Sequence, residues 1–396
     1  MIKRGFCYLF MILLIFTESG CLLSTSFPES MHKTYVSSPS VSLIPAYTSH
    51  ESISITSNGD FESQGFPGDG TEANPYLIEG YKIGSSVSRD YIHIENTNAH
   101  FVIRGCELIG PNSGVRRDGI SFDNVIHGEI RDNTFYYFSN GIISYNSQNN
   151  TIVNNKMIEC PIPMRLYELS NSIVADNYMA HMGGIYLGGG SNVVLRNNKF
   201  ESCVTPIDLW GCSNSLVEGN FLDYSKNYGV RLTNSSRCTV RENHIEQCLP
   251  WGVYLRDTSH SIIINNNIFG SDIGIRLYES NDNSISNNLI LKNTEYGVYC
   301  ASNSWNNLFF LNTIAYNNVS NAYDDGINNQ WNTTGIGNYW SDYNGTGFYS
   351  IPGAAGSLDY HPQIDVSPVL LILGIAGVAV VSFIALRYVL IRKKAS

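Results

Sequence analysis

The sequence predicts an all-β chain, a right-handed single-stranded parallel β-helix solenoid followed by a C-terminal transmembrane helix. Three observations lead there. Nine asparagines, Asn133, Asn155, Asn177, Asn198, Asn220, Asn243, Asn266, Asn288 and Asn312, recur at steps of 22, 22, 21, 22, 23, 23, 22 and 24 residues. Each has an apolar residue three positions before it (from Ile130 and Ile152 through to Phe309) and another two positions after it (from Phe135 and Met157 through to Ile314). Finally, the 18 residues from Val369 to Leu386 carry no charge.

The period identifies a stacked repeat, and the paired apolar positions give each unit a fixed inside. A second apolar pair leads each unit, usually after Gly: Ile120/Phe122, Met164/Leu166, Ile185/Leu187, Ile207/Leu209, Val230/Leu232, Val253/Leu255 and Ile275/Leu277. Apolar residues two apart mark strands rather than helices. Units this short, built from strands with Asn and Gly between them, stack as coils about 4.8 Å apart. Leucine-rich repeats have a similar length but need a Leu-x-x-Leu-x-Leu frame and a helical back that this chain lacks. In a stack each side chain meets its own copy above and below, so the asparagines are expected to form an amide ladder. That role needs no chemistry.

The order along the chain follows from these signals. Lys3 and Arg4 precede an apolar run from Gly5 to Phe16, too short to span a bilayer comfortably, so residues 1–20 are expected to be a secretory signal. Residues 21–51 are rich in Ser, Pro and Thr and read as a spacer. Residues 52–90 form an N-terminal cap, 91–321 the coils and 322–365 a C-terminal capping segment, because an uncovered end coil would expose apolar core and an unpaired strand edge. The run within 369–391 is about 27 Å long as a helix and is followed by Arg387, Arg392, Lys393 and Lys394, which marks a stop-transfer anchor. Basic flanks stay inside. The expectation is therefore a single-pass cell-membrane protein with an extracellular β-helix and a cytoplasmic tail at 392–396.

The chain has 24 Lys and Arg against 34 Asp and Glu, a net charge of −10. Six of the basic residues and one of the acidic ones lie in residues 1–20 and 387–396, leaving 18 against 33 in the exported part. Such a surface argues against nucleic acid, whose phosphates demand basic groups. The sequons at Asn149, Asn234, Asn318, Asn332 and Asn344 are candidate glycosylation sites on an exported surface. Seven cysteines between residues 100 and 310 show no Cys-x-x-Cys spacing and no disulfide framework, and they read as small core hydrophobes. No cofactor motif and no metal-ligand set is legible; the nine His include no close pair in sequence.

The opening Gly70-Thr-x-x-x-Pro-Tyr-x-Ile-Glu-Gly-Tyr81, the Asn-centred coils and the closing Gly337-Asn-Tyr-Trp-Ser-Asp-Tyr343 resemble the NosD-like family of right-handed parallel β-helix proteins, many of them archaeal surface proteins. The resemblance covers roughly residues 52–362. It implies the fold, export, and a superfamily that contains carbohydrate-binding proteins and sugar hydrolases. Its name-giving member assists maturation of a copper enzyme, so copper handling is one function the resemblance implies; Met157 and Met179, with Cys160, Met182 and Cys203, are the soft donors such a role would use. Two features depart from the pattern. The segment Asn344–Pro352 has no carboxylate where relatives often carry an Asp/Gly-rich run, and the polygalacturonase residue set is missing apart from Asp324-Asp325, placed by the sequence in the closing segment rather than on a coil.

The outward positions of the leading strand carry the candidate chemistry. One column reads Arg165, Tyr186, Asp208, Arg231, Tyr254, Arg276, Tyr299, and its neighbour Tyr145, Tyr167, Gly188, Trp210, Thr233, Arg256, Tyr278. A bland exposed sheet would show Thr, Ser, Lys and Glu. Aromatic faces stack on sugar rings and Arg forks pair with uronate or sulfate, so the expected partner is a polysaccharide or surface glycan lying across the coils. The alternative on the same face is a polysaccharide lyase or epimerase. Its candidate catalytic residue is Asp208 beside Arg231, although no second carboxylate shares the column as a glycoside hydrolase would require.

Overall fold

The computed structural model describes residues 47–84, 90–111 and 117–363. The expected signal segment, most of the spacer, the transmembrane helix and the cytoplasmic tail lie outside the described residues. Among the described residues, no helix is long and apolar enough to cross a membrane.

Three parallel sheets of 13, 12 and 11 strands run the length of the molecule, and each strand pairs with its counterpart one coil away. The 13-stranded sheet, A, runs from Thr48–Ser49 to Tyr339–Trp340; the 12-stranded sheet, B, from Ile53–Ile55 to Ser320–Asp324; the 11-stranded sheet, C, from Tyr76–Glu79 to Leu308–Phe310. This is a parallel β-helix. The apolar pairs read from the sequence fall in register: Ile152 opposite Val174 in sheet C, Met157 opposite Met179 in sheet A, and Ile185 opposite Ile207 in sheet B. All six are buried, part of one continuous core that also contains the seven free cysteines.

The corners explain the composition. Between sheets C and A the residue before each ladder asparagine adopts a left-handed backbone, as in Asn154 (φ 55°), Asp176 (φ 55°) and Gly219 (φ 62°). Gly, Asn and Asp tolerate that conformation most readily. The next residue is then turned inward, where Asn155 donates through Nδ2 to Asn177 Oδ1 at 3.0 Å while Asn177 Oδ1 also accepts the backbone N–H of Asn155 at 2.9 Å. The same bonds repeat from Asn133 to Asn312, and the buried side chains satisfy backbone groups that a coil corner would otherwise strand. The glycine that precedes most of the leading apolar pairs has a separate cause. At Gly252 an added Cβ would lie 2.5 Å from Ile268 Cγ2 and 2.7 Å from the Gly274 carbonyl, so coil packing leaves no room for a side chain.

Both ends are closed. At the N-terminal end a short helix, Asn58–Ser63, buries Phe61, which stacks on Tyr76 at 4.8 Å. At the other end the ladder continues one step further than the periodicity showed, into Asn338 of the closing motif. Asn312 Nδ2 donates to Asn338 Oδ1 at 2.9 Å, and Asp359 Oδ2 accepts the Asn338 backbone N–H at 2.7 Å. Asp324 is the last residue of the final sheet B strand, opposite Cys300, so it does lie on a coil, contrary to the sequence reading. It is fully buried and accepts hydrogen bonds from Gly326, Asn329, Trp331 and Ser357, which stitches the cap to the last coil.

Candidate functional site

The outward face of sheet B has the register predicted for it. Arg165, Tyr186, Asp208, Arg231, Tyr254, Arg276 and Tyr299 are successive partners, and Tyr167, Gly188, Trp210, Thr233, Arg256 and Tyr278 form the adjacent column. Tyr145 adds to the second column by stacking on Tyr167, centroids 5.3 Å apart and rings within 6° of parallel. A third column, Tyr228, Trp251, Ile273 and Tyr296, went unread. Its signal was an aromatic-Gly-Val triplet starting at residues 228, 251 and 296, its aromatic two positions ahead of the leading apolar pair.

Those three columns divide the face into two parts. Toward the C-terminal end the groups use one another. Trp251 and Tyr254 lie 4.4 Å apart, Tyr299 stacks on Tyr323 at 5.3 Å, and the Arg276 guanidinium sits 4.3 Å from the Trp251 centroid and 5.2 Å from that of Tyr299. The Arg256 guanidinium lies 5.8 Å from the Tyr278 ring, with Nε 3.3 Å from an Asp257 carboxylate oxygen. Tyr254 is only 7% exposed. Rings stacked along the axis cover one another's faces, which is the arrangement cross-strand pairing alone would produce.

The other part is open. Trp210 is 50% exposed and stands between Gly188 and Thr233, with no ring contact among the described residues. Tyr167 and Tyr186 lean over Gly188, where an added Cβ would meet Tyr186 Cε1 at 3.0 Å and Tyr167 Cδ1 at 3.1 Å. Beside them lies a cleft of about 310 Å³, walled by Arg165, Tyr167, Tyr186 and Asp208 and closed at one edge by Pro161 and Val204. Burial, then Tyr167 and Asp208, raises the Tyr186 phenol above its ordinary value, so the hydroxyl stays neutral and able to donate or accept.

Asp208 is 7% exposed and gives both carboxylate oxygens to one guanidinium: Arg231 Nε donates to Oδ1 at 2.8 Å and Arg231 Nη2 donates to Oδ2. Those hydrogen bonds raise the Arg231 pKa against the opposing effect of burial. Both carboxylate oxygens are therefore engaged by Arg231. Arg165 differs from its neighbours, with no hydrogen bond, ion pair or ring stack among the described residues.

Four of the five soft donors suggested for copper lie in the core, and Met182 is half-buried. Met157, Met179, Cys160 and Cys203 are sealed in the core, and burial pushes the Cys203 thiol up to about 12, far from the thiolate that binds a metal. Among the described residues no three His, Cys, Asp or Glu side chains stand together at ligand distances. The coil does create one histidine contact that spacing hid: His127 Nδ1 and His100 Nε2, 27 residues apart in sequence, lie 2.9 Å apart. Two imidazoles sharing a hydrogen bond do not complete a metal centre. Of the sequons, Asn149, Asn234, Asn318 and Asn344 are exposed; Asn332 is half-buried, its amide oxygen accepting the Tyr360 backbone N–H.

The stacked coils define the protein as a parallel β-helix. Residues 163–345 match the family described as "Periplasmic copper-binding protein (NosD)" and residues 72–222 the family described as "Right handed beta helix region". Together these matches support a NosD-like, right-handed parallel β-helix family for the chain. It is 27% identical over 156 residues to the "Probable ABC transporter binding protein NosD" of Stutzerimonas stutzeri, a match that covers 35% of this chain and 35% of that relative. Among solved structures it is similar to the periplasmic alginate epimerase AlgG, with a TM-score of 0.51 at 16% identity over 74% of this chain and 73% of that one. At that identity the likeness shows the fold.

Proposed function

We propose that this chain is an exported, membrane-anchored β-helix protein that binds an extended glycan across sheet B, at Trp210 and the cleft beside it. The observation that carries the reading is the state of Trp210: a large apolar ring, half exposed, uncovered by any neighbouring ring among the described residues, on the same strand as Asp208, which lines the cleft together with Tyr167 and Tyr186. Exposing such a ring costs solvation that a sugar face restores, and Tyr and Trp supply contact area while losing little side-chain entropy. Tyr167 and Tyr186 then offer hydroxyls to the sugar, and Tyr145 extends the platform one coil further. The self-stacked columns from Tyr228 to Tyr299 act in this reading as a rigid backing.

A lyase or epimerase on this face would need an uncommitted acid or base. Asp208 gives both oxygens to Arg231, which favours binding over turnover. The uncharged run at 369–386 with its basic flank supports the anchor, and the Lys-Arg start followed by an apolar run supports export. The test is calorimetric titration of the full chain with oligosaccharides selected on a glycan array. Trp210→Ala should weaken binding by about 1 to 3 kcal/mol while leaving the unfolding midpoint unchanged. Undiminished affinity in that variant would refute the placement of the ligand.

A further inference from the structure

We propose that the cleft is a subsite for one anionic sugar unit, bearing a carboxylate or a sulfate ester, and that Arg165 is the residue that reads its charge. This rests on the glycan reading above. Four guanidinium groups stand on the face, and three are already used. Arg231 is paired through two of its donors with Asp208, Arg276 is held between the Trp251 and Tyr299 rings, and Arg256 lies over Tyr278 with Asp257 beside it. Arg165 has five donors and no protein acceptor among the described residues, yet it lines the cleft rather than extending into bulk solvent.

The charge of the cleft follows. Asp208 and Arg231 cancel at contact distance, so Arg165 supplies the net positive charge of the lining. One acidic group within its electrostatic reach is Asp118, whose Oδ1 accepts the Asn140 backbone N–H at 3.2 Å and Nδ2 at 2.6 Å; burial raises its pKa, which disfavours its charged form. The chain as a whole carries −10, which repels a polyanion at long range. At physiological salt such repulsion fades beyond about 8 Å, so the local guanidinium decides what enters. A planar five-donor fork matches carboxylate and sulfate oxygens in pairs. The volume, near the lower limit of ligand pockets, suits a single sugar unit with the next unit on Trp210.

The experiment titrates the full chain with three oligosaccharides of equal length: an oligouronate, the same oligomer with its carboxylates reduced to alcohols, and a sulfated neutral oligomer. The intact protein should prefer at least one acidic oligomer over the reduced one by roughly tenfold to a hundredfold, the range of a hydrogen-bonded charge. In Arg165→Leu that preference should vanish, and in Arg165→Lys a part of it should return with a weaker dependence on anion shape. The acidic oligomer with the larger loss in Arg165→Leu identifies the anion. An acid preference that survives Arg165→Leu, or equal binding of all three oligomers by the intact protein, overturns the assignment. Failure of all three to bind overturns the glycan reading itself.

Discussion

Replacing Asn220 by Ala tests the ladder at its centre. The Asn220 side chain accepts the Asn198 backbone N–H at 2.9 Å and Asn198 Nδ2 at 3.0 Å, and its own Nδ2 donates to the Leu195 carbonyl and to Asn243 Oδ1, both at 2.9 Å. Alanine removes all four bonds. The other groups keep a second partner in part: Asn198 Nδ2 still reaches the Val174 carbonyl, and Asn243 Oδ1 still accepts the residue 220 backbone N–H. The Asn198 backbone N–H keeps nothing. A stripped buried donor costs about 1 to 3 kcal/mol, and the amide-sized cavity raises the total to about 3 to 5 kcal/mol. Asn220→Asp preserves shape but turns a second oxygen toward two acceptors, so the introduced carboxyl must stay protonated to fit. Its folded pKa then lies above the unfolded value of about 3.9. The penalty should be small below pH 4, grow as pH rises through the folded pKa, and level off above it. Urea unfolding followed by tryptophan fluorescence measures both variants, and amide exchange at Asn198 localises the damage to the neighbouring coils. An alanine cost below about 1 kcal/mol, or a pH-independent aspartate penalty, would refute the account of the ladder as the device that satisfies the corner.

Two further outcomes are expected. Asp223 sits between Glu201 and Glu246 in one outward column of sheet A, and burial followed by those two charges raises its pKa. Ionisation of Asp223 therefore opposes folding above its unfolded pKa, so Asp223→Asn should stabilise the chain at pH 7 by less than about 1 kcal/mol and lose that gain below about pH 4; no gain at neutral pH in urea titrations would count against it. Protease added to intact cells should remove the β-helix and spare a tag placed after Ser396, and a protected β-helix would refute the proposed topology.

The parts of this fold that were legible in the sequence are those that every coil repeats. The ladder asparagines, the flanking apolar pairs and the register of the leading strand were readable because stacking puts like residues on like, and an error of one residue would have turned Ile185 and Leu187 outward. Asn338 escaped because its step from Asn312 is 26 residues, longer than the 21 to 24 that separate the other ladder asparagines. The two outward columns were placed correctly, but the use made of their side chains was not visible: sequence gives the order Arg231, Tyr254, Arg276, and not whether a ring shows its face to solvent or to its neighbour. The sequence placed Asp208 beside Arg231 but, for the same reason, not the two-oxygen pairing between them. His100 and His127 went unnoticed because contact across a coil depends on coil length, and the 27 residues between them exceed the 21 to 24 of the coils that the asparagines mark.

The amide ladder also has a direction. Every Nδ2 points toward the C-terminal end and every Oδ1 toward the N-terminal end, from the Cys106 backbone N–H received by Asn133 to the carboxylate of Asp359 beyond Asn338. The column is thus a row of head-to-tail dipoles, begun by a donor and terminated by an anion that has nothing left to donate. Such a row can be lengthened or shortened only by whole coils, since an extra coil inserts one more dipole in the same sense. It cannot accept a coil in the opposite orientation, because two amides would then meet hydrogen to hydrogen or oxygen to oxygen. The number of coils is free to drift in descent, while the polarity of the solenoid, and with it the end that carries the closing cap, is held fixed by a single file of side chains.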